Sequence, residues 1–290
     1  MMPYIIENVK VLENETMRET NFIVKEGLFY SRGTPVRKLS FLRLQLDRQK
    51  IITACGAALA DLGAWERRGM DYAEEFVLNG CTTAIFPVEL TYEYQLDAAM
   101  RNARSLLDGF PLDYVLVLRV AANLVKPSLI RKCKARHIPA VIVKVGQMRE
   151  LHLLDWSRLR EASFPYKLLF IPEFSEECGA SGVQQWKRTL GVAKLPHSEA
   201  PVQLHEALGK PLLKKIGLYP TKGILRAGGE VSYHLMEENA IECLNIKRMA
   251  YYDKIEATVY KNKVIRYGGR VDLSEAMGEE LRIRVPGYFH

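Results

Sequence analysis

The fold class is decided by two apolar runs, Tyr114-Val115-Leu116-Val117-Leu118-Arg119-Val120 and Ala140-Val141-Ile142-Val143-Lys144-Val145, in a chain of 290 residues. Both runs are rich in β-branched residues and almost wholly apolar, which is typical of strands that are covered on both faces in a parallel sheet. Between them, Pro127–His137 carries proline at its first turn and predicts a helix. Strand, helix and strand in this order indicate a parallel βαβ unit.

The same alternation extends to both sides of this unit. It predicts further strands at Lys50–Ala54, Cys81–Pro87 and Lys167–Pro172, and helices at Trp65–Asn79, Tyr92–Leu107, Leu151–Glu161 and Glu206–Ile216. We expect the segment Ser175–Pro201, which contains several glycines and prolines, to be a loop with one short helix around Trp186. The alternation predicts a parallel sheet, either doubly wound or closed as a barrel.

Both ends of the chain carry strand patterns instead. They predict strands at Tyr4–Leu12, Asn21–Lys25, Leu28–Tyr30, Phe41–Leu46, Gly223–Leu225, Val231–Leu235, Ile241–Leu244, Glu256–Tyr260 and Val264–Tyr267. Apolar and polar residues alternate in Phe41–Leu46, which predicts a strand with one buried face. The sequence therefore predicts β-rich segments, residues 1–48 and 217–290, on either side of a βα domain of residues 49–216.

The chain has a formal net charge of +7, and its basic residues cluster in Lys126–Arg136 and Arg37–Lys50. Neither cluster is interleaved with aromatic residues, and neither resembles a helix-turn-helix or an RNP motif. We therefore expect two solvated outer faces and no nucleic-acid partner. Binding of an anion or a nucleic acid to Lys126–Arg136 is kept as an alternative.

No apolar run approaches the roughly 18 residues that a membrane span needs. Residues 1–10 lack the basic start and apolar core of a signal peptide. The five cysteines, at positions 55, 81, 133, 178 and 243, are scattered and form no CxxC pair. A disulfide framework and a structural zinc site are therefore not expected, and we predict a cytoplasmic protein without a membrane partner.

Four segments match known motifs, in the same order along the chain. Ile5–Gly27 reads as an opening hairpin, Gly80-Cys81-Thr82-Thr83-Ala84 as a GGxTT turn, and Val259–Gly268 as the closing hairpin VxVxGxxVxxxG. Gly217–Gly229 is similar to GLxPxKGxIxxGxDAD, although the GxDAD box reads Gly229-Glu230-Val231-Ser232. Together they resemble the dihydroorotase and hydantoinase branch of the amidohydrolase superfamily. The resemblance implies a metal-bearing TIM-like (β/α) barrel beside a small β-sandwich that the N- and C-terminal segments form.

The metal ligands of that family have no counterpart here. The family's first barrel strand ends in PGxIDxHxH, whereas Thr53–Gly63 contains no histidine. The fifth strand ends without histidine at Phe170–Glu173, and nothing between Gly191 and Leu204 offers a strand carrying aspartate. Lys144 is similar in position to the family's carbamylated, metal-bridging lysine. Because a lysine alone cannot assemble such a centre, we expect no metal and no cofactor.

Length points to a shortened barrel. Residues 49–212 suffice for five or six βα units at about 30 residues each, whereas a closed eight-unit barrel needs about 250 residues. An incomplete barrel exposes strand edges, which must be covered. The segment Ser175–Pro201 or a second copy of the chain is expected to provide that cover.

A pocket is expected at the carboxyl ends of the strands, where ligands of βα folds gather. The side chains there are the weak ligand-binding candidates Asp61, Glu89, Arg119, Asn123, Lys144 and Glu173. They predict ion pairs in the mouth of an emptied barrel rather than catalytic residues. A lysine perturbed by a Glu89–Lys144 or Lys144–Glu173 pair is the alternative.

These observations favour an amidohydrolase-like pseudoenzyme, independent of metal, that acts as a scaffold or binds a partner or a small anionic ligand, with a homodimer as one expected assembly. The first alternative is a divergent hydrolase of a cyclic amide or another C–N bond that uses Lys144 and acidic residues. The second is the anion or nucleic-acid binder described above.

Overall fold

The computed structural model describes residues 2–13, 16–239 and 254–287. In chain order the strands are β1 (Tyr4–Glu13), β2 (Thr16–Lys25), β3 (Leu28–Arg32), β4 (Leu42–Gln45), β5 (Lys50–Ala54), β6 (Gly56–Leu59), β7 (Cys81–Leu90), β8 (Asp113–Ala121), β9 (Ala140–Val145), β10 (Leu169–Phe174), β11 (Tyr233–Glu237), β12 (Ile255–Tyr260), β13 (Lys263–Tyr267) and β14 (Arg270–Val271). The helices are α1 (Leu62–Arg68), α2 (Met70–Leu78), α3 (Leu96–Leu106), α4 (Pro127–Ala135), α5 (Arg149–His152), α6 (Trp156–Ser163), α7 (Gly179–Ala193) and α8 (Lys210–Ile216). Short 3₁₀ turns occur at Glu93–Gln95, Ala122–Leu124 and Glu176–Cys178.

The chain has an α/β fold with two compact units. The sheet unit comprises Met1–Gly56, Met70–Thr82 and Thr221–Met277; the half-barrel unit comprises Ala57–Gly69, Thr83–Pro220 and Gly278–His290. The expected division falls at residues 48/49 and 216/217. The structure differs from it chiefly by assigning residues 49–56 and 70–82 to the sheet unit and 278–290 to the half-barrel unit.

A nine-stranded, mainly antiparallel sheet forms the sheet unit, in the order β14-β13-β12-β11-β5-β1-β2-β3, with β4 paired to β1. The pairings β1–β4 and β1–β5 are parallel, and they lie along different halves of β1. Phe22 and Phe29 lie in the core of this sheet with ring centroids 4.5 Å apart, beside Ile52, Val231 and Tyr233. The N- and C-terminal segments therefore share one core, as the predicted sandwich requires.

Five parallel strands, in the order β10-β9-β8-β7-β6, curl into the half-barrel. Their alternate residues point to one face and form a core that packs against α8, namely Ala57, Leu59, Ile85, Val115, Val117, Ala140, Ile142, Leu169 and Ile171. Leu213 and Ile216 of α8, together with Leu218 and Ile283, complete this cluster. A helix thus fills the space on the inner side of an incomplete TIM-like barrel.

Residues 196–208, the covering segment, protect both edges of the half-barrel sheet. At β10 the Phe170 N–H donates to the Pro196 carbonyl at 2.9 Å, and the Ser198 N–H donates to the Phe170 carbonyl at 2.8 Å. At β6 the N–H groups of His205 and Leu208 donate to the carbonyls of Leu59 and Ala57. The edges that an incomplete barrel exposes are therefore paired by the chain itself, and part of Ser175–Pro201 provides the cover expected of it.

Two predicted strands form, but one is more exposed than expected and the other belongs to a different sheet. The alternation in Phe41–Leu46 predicts one buried face, but Leu42 and Leu44 of β4 are 78% and 41% exposed because β4 lies at the margin of the sheet. The strand Lys50–Ala54 is expected to open the barrel, but β5 pairs with β1 and β11 in the other sheet. The first half-barrel strand is β6, which is too short and too rich in alanine to show in the sequence.

Helix boundaries differ where a local signal outweighs periodicity. The predicted helix Trp65–Asn79 is two helices, since Gly69 has φ +55° and ends α1. The predicted helix Leu151–Glu161 is also divided, because the Asp155 carboxylate accepts from the Arg158 N–H and starts α6. Of the terminal strands, Gly223–Leu225 is not a strand, and Ile241–Leu244 lies outside the described residues.

The prediction of a loop at Ser175–Pro201 is wrong for most of its length, because α7 runs from Gly179 to Ala193. Trp186 of α7 is fully buried and its indole N–H donates to the Ser198 carbonyl at 2.9 Å. Gly182 lets the helix pack closely, since a Cβ there would lie 3.1 Å from the Cys178 Cβ. Of the glycines that suggest a loop, Gly182 is thus used for close packing inside a helix.

Candidate functional site

The register of the parallel strands brings charged residues together at their carboxyl ends. Glu89 of β7 pairs in register with Arg119 of β8, and Glu173 of β10 pairs with Lys144 of β9. Arg119, Lys144 and Glu173 each follow an inner-face core residue by two positions. Because side chains alternate along a strand, they continue the inner face beyond the apolar core.

Arg119 and Lys144 bind the carboxylates of this cluster. The Arg119 guanidinium donates to both oxygens of Glu173, with Nε 2.7 Å from Oε2, and lies 3.8 Å from a Glu89 oxygen. Lys144 Nζ donates to the other oxygen of Glu89. We call these four residues the strand-end ion pairs. The hydrogen bonds that Arg119 donates to Glu173, together with the nearby charges of Glu89 and Asp61, raise the pKa of Arg119, so it stays protonated.

Asp61 lies at the start of α1 and caps that helix. Its carboxylate accepts from the Ala64 N–H at 2.6 Å, which satisfies one of the free donors of the first turn. The same residue lines a cleft of about 330 Å³ together with Glu89, Arg119 and Glu173. Asp61 thus combines a structural role with a place at the rim of the cleft.

The rest of the cleft wall is mostly apolar and includes residues that sequence reasoning missed. Ile142, Ile171 and Pro172 extend the core to the strand ends, and Pro201, Val202 and Leu204 come from the covering segment. The sequence signal for the residues of the covering segment is the pair of prolines at 196 and 201, which favours an extended backbone beside a sheet edge.

Five of the six predicted site residues are brought together and one is not. Asp61, Glu89, Arg119 and Glu173 line the cleft, and Lys144 reaches it through its bond to Glu89. Asn123 is exposed in the turn after β8 and lines a separate cleft with Lys126 and Glu150. A 3₁₀ turn follows directly after β8 and carries Asn123 away from the mouth.

The strand-end ion pairs define what this site can do. Three carboxylates and two cations lie in or beside the cleft, and every cation is bonded to a carboxylate. Such a network orients side chains and closes the inner face of the sheet. A ligand that entered would have to compete with these pairs for Arg119 or Lys144.

No three histidine, cysteine, aspartate or glutamate side chains in the described ranges are placed to hold a metal ion. His234, in the sheet unit, is buried; its Nε2–H donates to the Gly80 carbonyl at 2.9 Å and its Nδ1 accepts from the Thr258 hydroxyl at 3.0 Å. His152 is exposed and His205 is half-buried.

The cysteines in the described ranges, Cys55, Cys81, Cys133 and Cys178, are free and buried, while Cys243 lies outside these ranges. Burial raises the pKa of the Cys55 thiol to about 12, so it stays protonated and is a poor nucleophile.

The basic cluster Lys126–Arg136 is partly compensated by acidic residues from elsewhere in the half-barrel unit. Lys132 Nζ lies 2.9 Å from a Glu93 oxygen, and Arg136 binds the Asp97 carboxylate through two nitrogens. A third cation, Lys134, donates to the Phe164 carbonyl. No helix in the described part of the chain has both the length and the apolar character that crossing a membrane requires.

The observations above define a class: an α/β protein with a half-barrel of parallel strands whose candidate site lies at their carboxyl ends. Comparison with solved structures gives the fold within this class. The chain superposes on a dihydropyrimidinase from Brevibacillus agri with a TM-score of 0.71 at 8% identity, covering 97% of this chain and 99% of that one. A D-hydantoinase (dihydropyrimidinase) from Thermus sp. gives 0.64 at 9% identity, with 98% and 100% covered. A triazine hydrolase from Arthrobacter aurescens gives 0.55 at 10% identity, with 95% and 97% covered.

The fold is therefore similar to that of dihydropyrimidinase, D-hydantoinase and triazine hydrolase. At these identities the likeness concerns the fold alone. No protein-family model matches the sequence, and no curated protein matches it.

Proposed function

We propose that this amidohydrolase-like protein has lost metal-dependent hydrolysis and acts as a scaffold that binds a partner or a ligand. The observation that carries the proposal is the set of strand-end ion pairs. At the edge of the sheet where ligands of such folds gather, Arg119 and Lys144 bind the carboxylates of Glu173 and Glu89. The side chains of Arg119 and Lys144 are thus hydrogen-bonded to the carboxylate oxygens that a metal ion would need as ligands.

The donor set does not fit a divalent metal. A catalytic zinc or manganese ion takes three or more protein ligands, drawn mainly from imidazoles and free carboxylates. Among the residues that the structure describes, no histidine or cysteine lines the cleft, and Glu89 and Glu173 form ion pairs with Lys144 and Arg119. Lys144 matches the family's bridging lysine in sequence, but its amine is bound to Glu89. We derive no reaction step through a metal.

The filled inner face of the half-barrel supports the same proposal. Leu213 and Ile216 of α8 pack against the inward residues of the strands, so a substrate would have only the cleft of about 330 Å³ at the mouth. Binding pockets of about this size accept small molecules. The room that is left suits a small ligand held by the ion pairs.

Metal analysis of the purified protein, combined with a substrate screen, tests the proposal. The chain is dialysed against zinc and against manganese, and the bound metal is then measured by mass spectrometry. We expect well under one ion per chain and no turnover of a hydantoin or a dihydropyrimidine, the substrate types named for the similar structures. Stoichiometric metal that survives dialysis, together with turnover, would overturn the proposal.

A divergent hydrolase of a cyclic amide is the second candidate, because one observation favours it. Lys144 is partly exposed at the mouth and bonded to Glu89, so a proton could pass between the two groups. If a substrate screen finds an activity, Lys144→Ala should abolish it while Lys38→Ala, at an exposed lysine in the sheet unit, leaves it unchanged. Equal activity in both variants would remove this candidate.

The partner that we propose is a second copy of the chain, paired along β4. Leu42 and Leu44 lie on one face of this short strand and are 78% and 41% exposed, and β4 pairs only with β1 among the described residues. An edge strand with apolar side chains is a site for strand addition. Light scattering should show a dimer that Leu42→Lys converts to a monomer, whereas a monomeric parent protein would contradict this assembly.

A further inference from the structure

A second cleft lies near the amino-terminal ends of β8 and β9, whereas the strand-end ion pairs lie at the carboxyl ends. It has a volume of about 400 Å³ and is lined by α3, the first residues of β8, the turn between α4 and β9, and residues 280–282. Residues 279–281 pair with Tyr114, where the Tyr114 N–H donates to the Glu279 carbonyl and the Leu281 N–H to the Tyr114 carbonyl. This pairing holds Glu280 and Arg282 at the cleft.

Four arginines from three parts of the chain line this cleft. Arg101 and Arg104 lie on one face of α3, Arg136 follows α4, and Arg282 belongs to the segment that pairs with Tyr114. His137 is next to Arg136 and lines the cleft as well. The concentration of guanidinium groups in one concave site is what a binding site for a strongly acidic ligand requires.

Two of the four arginines are fully engaged by carboxylates. Arg104 binds both oxygens of Glu280, with Nε and a terminal nitrogen each at 2.8 Å. Arg136 binds both oxygens of Asp97, and this hydrogen bonding lowers the pKa of Asp97 and keeps it ionised. These two bidentate pairs fix the walls of the cleft in place.

The other two arginines remain available to a ligand. Within the described ranges, Arg101 and Arg282 form no hydrogen bond or ion pair with another residue, and both are exposed to solvent at the cleft. Since Asp97 and Glu280 are the acids of the cleft, four guanidiniums face two carboxylates and the site keeps a net positive charge. The floor is apolar and includes Val115, Leu116 and Ile138.

We propose that this cleft binds a small phosphorylated molecule, with the phosphate held by Arg101 and Arg282 and the organic part resting on the apolar floor. A phosphate accepts parallel hydrogen bonds from guanidinium groups, and His137 adds a donor at the same rim. The site is separate from the strand-end ion pairs and requires no loss of hydrolase activity, so it stands independently of the proposed function.

Titration calorimetry with inorganic phosphate and with phenyl phosphate tests the proposal on the full chain. We expect saturable one-to-one binding, tighter for phenyl phosphate because its ring covers apolar floor. Arg101→Ala and Arg282→Ala should each weaken phenyl phosphate binding by about tenfold. Because neither side chain forms an ion pair within the described ranges, both variants should fold like the parent protein, and their circular dichroism spectra should be the same as that of the parent.

The matched control is Arg131→Ala, which removes an equal charge from an exposed position of α4 outside the cleft. It should leave the dissociation constant unchanged. Equal weakening by Arg131→Ala would mean attraction to the net charge alone and would overturn the site. Absence of saturable binding below about 10 mM would overturn it too, as would binding to vesicles of phosphatidic acid without binding to phenyl phosphate.

Discussion

Burial of His234 makes the stability of the sheet unit depend on pH in a way that can be calculated. Burial lowers the pKa of His234 from 6.5 to about 4, and the positive charge of Arg266 acts in the same direction. Between these two values the unfolded chain binds a proton that the folded chain does not. Stability therefore falls as the pH drops from 6.5 to 4, by up to about 1.4 kcal/mol per pH unit and by about 3 kcal/mol in all.

The perturbation that isolates this effect is His234→Gln. The glutamine amide can donate to the Gly80 carbonyl in place of Nε2–H but cannot take up a proton, while the Thr258 hydroxyl loses its acceptor. We expect the variant to be less stable at pH 7.5 by about 1–2 kcal/mol. Between pH 6.5 and 4.5 it should lose less stability than the parent, so that the two curves converge.

Urea denaturation followed by far-UV circular dichroism, which reports on the strands of the sheet unit, at pH 7.5, 6.5, 5.5 and 4.5 measures both curves. Carboxylates titrate in part of this range, but they do so in both proteins, and the difference between the curves removes their contribution. His152→Gln is the matched control, since it makes the same exchange of side chains at an exposed position. Parallel curves for the parent and His234→Gln would refute the reasoning, because the buried imidazole would then have no role in it.

Three further substitutions test the packing of the half-barrel unit. Gly217→Ala places a Cβ 2.7 Å from the Ile283 side chain at a residue with φ +93°, so it should lower the free energy of unfolding in urea by about 2 kcal/mol. The control Gly269→Ala has open space around its Cβ and should lower it by almost nothing. Equal losses in the two variants would contradict the close approach at Gly217. Leu213→Ala should cost about 3 kcal/mol because it empties the core that α8 fills, and a loss below 1 kcal/mol would show that α8 is not packed there. Trp186→Phe removes the hydrogen bond to Ser198 and should speed amide exchange at Ser198, and unchanged exchange would mean that α7 does not hold the covering segment.

Four of the five half-barrel strands, β7 to β10, could be predicted from the sequence because strands buried on both faces leave long apolar runs. Parallel pairing then implied that residues at the ends of those runs meet, and this was enough to bring Glu89, Arg119, Lys144 and Glu173 to one edge. Which cation binds which carboxylate depends on how far each side chain extends across the neighbouring strands. The sequence alone therefore does not indicate that Lys144 binds Glu89 rather than Glu173.

What could not be predicted depended on contacts between residues distant in the chain. The helix α7 is held by burial of Trp186, which outweighs three glycines that favour a loop. The strand β5 carries the same apolar signal as a barrel strand, and only its pairing with β1 and β11 assigns it to the other sheet. The arginine cleft combines α3, the end of α4 and residues 280–282, which no local pattern links.

The covering segment has a consequence for how the protein is made. Hydrogen bonds from residues 205 and 208 reach β6, almost 150 positions earlier in the chain, so β6 stays unprotected during most of synthesis on the ribosome. Contacts of such long sequence separation form late and slow folding. A nascent chain with its parallel strands in place but residues 196–208 still unmade presents two bare edges to its neighbours, which makes low temperature, where hydrophobic association is weaker, the favourable condition for its production.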